Sequence, residues 1–358
     1  MNLRRWVFLA LAVGALSPVA CNSGDSVTLQ GCGATLPAPL YKRWFLEFYK
    51  LQPDVRVNYQ AIGSGAGIRQ LEEGLVDFGA SDEALKEDRL VSIAKKLSER
   101  EGHEVKLVQI PATAGAVALC YNVPGNPRLK LTREIYVGIF LGQIANWNDS
   151  LIRSLNPEVS LPDLPITVVR RAESSGTTFV FTNHLNAADS RWKKDNGGPG
   201  PGKSVQWPVG IGGKGNAGVA ALIQQTPGAF GYIEAGYAEL THLSVATLKN
   251  KQGNFVEPSA ESCRAALEEA HFDKVLGATV PDPKGPQAYP IVTFTWIVCR
   301  KHYADQKLAE SLKAVLSYCL ENQSPGRGQA LSKGLGYVPL PDDVLLASRK
   351  AVQSINAP

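Results

Sequence analysis

The sequence predicts an α/β fold in two domains, and three observations carry that expectation. The chain has 358 residues, about two domains of ordinary size. Hydrophobic residues make up 44% and charged residues 20%, enough apolar side chains for sizeable cores. Short β-branched runs alternate with amphipathic stretches, the rhythm of strands and helices sharing much parallel sheet.

In chain order, Leu29-Gln30-Gly31-Cys32 reads as a first strand. Thr35 ahead of Pro37 marks the start of a helix over 38–50, with Thr35 near its N-cap. Residues 55–59 alternate as a half-buried strand does, and a helix is expected over 68–75. Strand-length runs recur at 105–110, 116–121, 166–169 and 291–299, with helices expected over 133–141, 177–185, 217–225 and 307–320. Residues 196–202 are a surface loop by composition. No Pro- or Ser-rich linker divides the chain, so the two domains are expected to be joined by strands.

The N-terminus differs in kind. Arg4 and Arg5 precede an apolar run over 6–16, and small residues follow to Ala20. That order is a secretory signal, expected over residues 1–20. Its apolar run is about half what a spanning helix needs. Cys21 directly after Val19-Ala20 resembles the lipobox of bacterial lipoproteins, although Pro18 stands where Leu is usual. Leu29 to Cys32 fits the same pattern further from the apolar run. Cys21 is expected to be acylated, with 21–26 as a linker.

Five cysteines remain: Cys32, Cys120, Cys263, Cys299 and Cys319. The odd number leaves at least one thiol unpaired. There is no C-x-x-C, the five His are dispersed, and neither metal nor cofactor is expected. A net charge of +4, with Lys and Arg scattered among the acids, gives no reason to expect a nucleic-acid partner.

Two nucleotide-like patterns fail on context. Gly197 to Ser204 spells the P-loop, but Pro208 follows too closely for a helix, and Pro199 and Pro201 lack the N–H donors phosphates need. Gly210 to Gly215 spells G-x-G-x-x-G behind too short an apolar run, and reads as a turn into the next helix. Ser64 and Ser175 lie in no nucleophile elbow, so no catalytic residue is expected.

Four small polar clusters share one theme. They are Gly33 to Pro39, Gly63 to Gly67, Val76 to Asp82, and Arg170 to Phe179. Three are Gly- and hydroxyl-rich loops at helix N-termini, where free N–H groups and the helix dipole hold anions. Arg171 adds a forked positive charge. Asp82 is the exception, because a carboxylate repels an anion unless a proton lies between them. Phosphate carries such a proton at neutral pH and sulfate does not. Asp82 among donors therefore selects phosphate by an unfavourable contact with its rival.

At these residues the chain closely resembles the periplasmic phosphate-binding proteins of ABC importers. The matching stretches include Gly31 to Tyr41, Asn58 to Gly65, Val76 to Asp82, Val168 to Phe181, Trp207 to Asn216 and Pro227 to Tyr232. The resemblance implies a two-lobed periplasmic binding protein fold of type II, hinged by two strands around a buried ligand. It implies one lobe from 27–117 and 297–358 and a second from 118–296, with crossings near 116–122 and 294–299. It implies phosphate held by Thr35, Leu36, Ser64, Asp82, Arg171, Ser175, Gly176 and Thr177, with Glu173 orienting Arg171. Permease subunits would be the partners of a periplasmic, monomeric, non-enzymatic receptor. Leu36 stands where family members commonly have Phe, and Glu173-Ser174 where they have Asp-Gly. Cys120 and Cys299 fall in the implied hinge strands, where a disulfide would stiffen closure. Two other readings stand beside this one: a receptor for sulfate or molybdate, and an exported phosphatase using Ser64 or Ser175.

Overall fold

The computed structural model describes residues 26–357; the expected signal over 1–20 and Cys21 lie outside the described residues. The first part of the chain runs β1 (Val27–Gly33), α1 (Ala38–Leu51), β2 (Val55–Gln60), α2 (Ser64–Glu72), β3 (Phe78–Ser81) and α3 (Glu87–Glu101) into the long strand β4 (Leu107–Tyr121). The middle part opens with β5 (Lys130–Leu131), α4 (Arg133–Phe140), α5 (Ser150–Leu155), β6 (Thr167–Arg171), α6 (Gly176–Ala188), β7 (Ile211–Gly213) and α7 (Gly215–Gln225). It continues through β8 (Ala229–Glu234), α8 (Ala235–Leu240), β9 (Ser244–Val245), β10 (Thr247–Lys249), β11 (Phe255–Val256) and α9 (Ala260–Leu267). The chain then returns in β12 (Val292–Arg300), α10 (Gln306–Cys319) and α11 (Asp342–Gln353).

The α/β class holds, but the sheet is mixed. Its order is β2-β1-β3-β12-β4-β8-β6-β7, with β9 also on β4. The β2-β1-β3 and β8-β6-β7 ends are parallel, and antiparallel β12 and β4 join them. β4 pairs with β12 over 107–116, then with β8 over 117–121. One continuous strand therefore serves both halves of a two-lobed molecule. The separate strands expected at 105–110 and 116–121 are this one strand. Pro111 splits the apolar run in the sequence; in the structure the pairing skips Ala112 between Pro111 and Thr113. A bulge is where a sheet tolerates a residue without an N–H.

Helix α1 shows how pattern becomes packing. Leu40, Tyr41, Trp44, Phe45 and Phe48 recur at helical spacing, and all are buried. Tyr41 stacks on Trp44 with centroids 5.6 Å apart, and the Trp44 indole donates to the Gly328 carbonyl at 2.7 Å. That bond docks the C-terminal segment on the first half. Among the described residues no helix is long and apolar enough to cross a membrane. All five described cysteines are free and buried. Cys299 lies opposite Val108, at the other end of β4 from Cys120, so the two hinge-strand thiols are out of each other's reach.

Candidate functional site

Both parallel ends of the sheet bring helix N-termini to the same place. On the first half, β1 ends at Gly33 and the turn through Thr35 and Leu36 enters α1. Gly63 takes φ +95 ahead of Ser64, the first residue of α2, and its N–H donates to the Gly33 carbonyl at 2.8 Å. A residue with a Cβ disfavours that dihedral, so Gly63 is what allows so sharp an entry. β3 delivers Ser81 and Asp82. On the second half, β6 ends at Arg171, and Ser175 caps α6 by accepting from the Thr178 N–H at 3.1 Å. The helix then begins with Gly176 and Thr177, whose N–H groups have no intrahelical partner.

The two halves meet at these ends. A Cβ on Gly176 would lie 2.4 Å from Ser64 Oγ and 2.7 Å from Asp82 Cβ, so the start of α6 presses directly on the first half. The Gly65 N–H donates across the divide to the Ser174 carbonyl at 3.2 Å. Lys203 forms an ion pair with Glu83 at the rim. Thr35, Leu36, Ser64, Asp82, Arg171, Ser175 and Thr177 are all buried. All eight residues picked from the sequence fall on this one seam between the halves.

Their electrostatics are specific. The Arg171 guanidinium donates to Thr177 Oγ1 at 3.1 Å and, through Nε, to Glu173 Oε1 at 2.9 Å, with a second, very short contact from Nη2. Glu173 Oε1 also accepts from the Gly215 N–H at the start of α7. Asp82 Oδ1 accepts from Thr295 Oγ1 at 2.9 Å, while Oδ2 is buried with no hydrogen-bond partner. Burial pushes the Asp82 carboxyl up to about 7, against the opposing pull of Thr295, Arg171, Thr177 and Lys203. A buried oxygen without a partner costs on the order of 1–3 kcal/mol.

Several residues of this cluster escaped the sequence reading. Thr295 and Thr293 lie two apart on β12, and Thr293 Oγ1 donates to the Asp82 carbonyl. Asn216, the second residue of α7, bridges Thr35 and Thr177. Buried Glu234 caps α8 through the Gly236 and Tyr237 N–H groups and accepts from Tyr337, whose hydroxyl also reaches the Leu36 carbonyl. Burial pushes Glu234 up to about 8. Such residues carry no local motif. Only alternation on a strand, or position in a helix's first turn, sets them apart.

The competing motifs find no site. Residues 197–204 follow a 3-10 turn, no helix begins at Lys203, and its amine is held by Glu83. Gly210 to Gly215 forms short β7 and the entry to α7. Ser64 Oγ accepts from the Asp82 N–H and Ser175 Oγ caps α6. The buried His184 is instead held by Tyr136 and the Pro281 carbonyl.

The profile of the PBP superfamily domain matches residues 19–323. The phosphate-binding protein PstS of Pasteurella multocida is 37% identical over 89% of this chain and 88% of its own length. The chain belongs to the PstS family. The PstS of Methanocaldococcus jannaschii is 34% identical, covering 97% of this chain and 94% of its own. In fold, the crystal structure of a phosphate-binding protein from Stenotrophomonas maltophilia superposes with a TM-score of 0.70. It is 24% identical and covers 91% of this chain and 94% of its own. The chain shares that two-lobed fold.

Proposed function

We propose that this chain captures inorganic phosphate outside the inner membrane and hands it to an ABC-type importer, without catalysing any reaction. One observation carries the reading. Asp82 Oδ2, a buried acceptor with no partner, sits within a ring of donors built from helix N-termini, hydroxyls and Arg171. Such a ring suits a tetrahedral oxyanion, and the lone acceptor suits one that carries a proton.

Residue roles follow from this placement. Thr35, Leu36 and Ser64 hold the anion from one lobe. Arg171, Ser175, Gly176 and Thr177 hold it from the other. Glu173 keeps the guanidinium turned inward, and Asp82 accepts the anion's proton. We assign one lobe to 27–117 and 297–358 and the other to 118–296, with the strand crossings as the hinge. Family membership supports delivery to permease subunits in the inner membrane. We further propose export by the signal over 1–20, anchoring through acylated Cys21, and action as a monomer.

The test is titration of phosphate-free variants. Loss of a buried charge-assisted hydrogen bond costs about 1.5–3 kcal/mol, so Arg171→Ala should weaken phosphate binding by about tenfold to about 150-fold. Asp82→Asn should weaken phosphate and admit sulfate. Unchanged phosphate affinity in both variants would sink the reading.

A further inference from the structure

Asn216 is the centre of a buried network that the anion-binding reading does not use. Its side chain is fully buried in the first turn of α7. Nδ2 donates to Thr35 Oγ1 at 3.0 Å on one lobe and to Thr177 Oγ1 at 3.4 Å on the other. The orientation of the amide is fixed, because Oδ1 accepts from the Glu234 N–H at 3.1 Å and a backbone N–H can only donate.

A hydroxyl oxygen has two lone pairs and one proton. Thr35 Oγ1 accepts from Asn216 Nδ2 and, at 3.4 Å, from the Asn216 backbone N–H. Thr177 Oγ1 accepts from Asn216 Nδ2 and from Arg171 Nη1 at 3.1 Å. Both lone pairs of each threonine are therefore taken, and each hydroxyl can meet a ligand only as a donor. Without Asn216, each oxygen regains an open lone pair and can accept a proton instead.

We infer that Asn216 is a positioning residue that fixes the hydrogen-bond polarity of the site: it makes Thr35 and Thr177 obligate donors, so the site favours the singly protonated over the doubly protonated tetrahedral oxyanion. This rests on the phosphate reading above and deepens it by naming the ionic form. The doubly charged ion has one proton, which Asp82 accepts. The singly charged ion has two, and at Thr35 and Thr177 its second proton meets only donors. Asp82, Arg171, Glu173, Glu234, Lys203, Tyr237 and Tyr337 also surround the network and bear on pH dependence. These groups are common to wild type and an Asn216 variant, so the ratio of the two dissociation constants isolates Asn216.

The experiment is calorimetric titration of inorganic phosphate into wild type and Asn216→Ala across the second ionisation of phosphate, from about pH 5.5 to about pH 8.5. Thermal unfolding of both proteins checks the fold, and Asn216→Ser carries the same expectation if the Ala variant does not fold. The variant should bind about tenfold more weakly than wild type at the alkaline end and less than about threefold more weakly at the acid end. A merely structural tie between the lobes would weaken binding by the same factor at every pH. A pH-independent ratio, or a ratio near one throughout, overturns the assignment. If wild type itself fails to bind phosphate, the phosphate reading fails first and this inference with it.

Discussion

Asp82 and Glu234 are carboxyl groups kept in the dry centre of the molecule, pushed up to about 7 and about 8 by burial. A raised carboxyl pKa means that the folded state holds the proton more tightly than the unfolded chain. Between about pH 4 and pH 7 the fold then binds more protons, and the stability contributed by Asp82 falls as pH rises through that window. Asp82→Asn removes this penalty. In the phosphate-free state the variant's stability advantage over wild type should grow by about 3 kcal/mol from pH 5 to pH 8. Urea unfolding at the two pH values checks it, and a stability difference that does not grow with pH would contradict it. That Asp82 and Arg171 would stand out is legible in the sequence, because a carboxylate among Gly- and hydroxyl-rich loops and an Arg at a strand end are unusual in chemistry. Both lie buried on the seam. Thr295 and Asn216 do not stand out, because their roles depend on which strand or helix packs opposite, and nothing within a few residues encodes that.

The elements position the site by pressing two helix starts together. Gly176 opens α6 with no side chain, and a Cβ there would meet Ser64 Oγ and Asp82 within 3 Å. The contact crosses the seam, so the clash concerns closure and leaves each half's own packing intact. Gly176→Ala should weaken phosphate binding at least about tenfold while barely moving the thermal unfolding of the phosphate-free protein. A variant with wild-type affinity would show that α6 does not close on Ser64. Most helices could be read from apolar spacing, as α1, α6 and α10 were. Helix α3 was missed because Leu90, Ile93 and Leu97 are its only buried residues, set among many charges. The 105–121 region was split in two because Pro111 and Gly115 break an apolar run that the sheet carries across with a bulge.

At the scale of the whole molecule, β4 lends its first part to one half-sheet and its last part to the other, and β12 lies beside it up to the crossing. Among the described residues, polar contacts that bridge the halves include Gly65 to Ser174, Glu83 to Lys203, Thr35 to Asn216, and Tyr337 to Glu234. Polar contacts of this kind exchange readily with water, so an anion that satisfies both sides can decide whether the halves stay together. The most direct measurement is calorimetric titration of the phosphate-free wild-type protein, first with phosphate and then with sulfate at neutral pH. Tight binding of phosphate and no measurable binding of sulfate is the predicted result. No binding of phosphate, or equal binding of the two anions, would contradict the assignment of Asp82 as the acceptor that selects a protonated ligand.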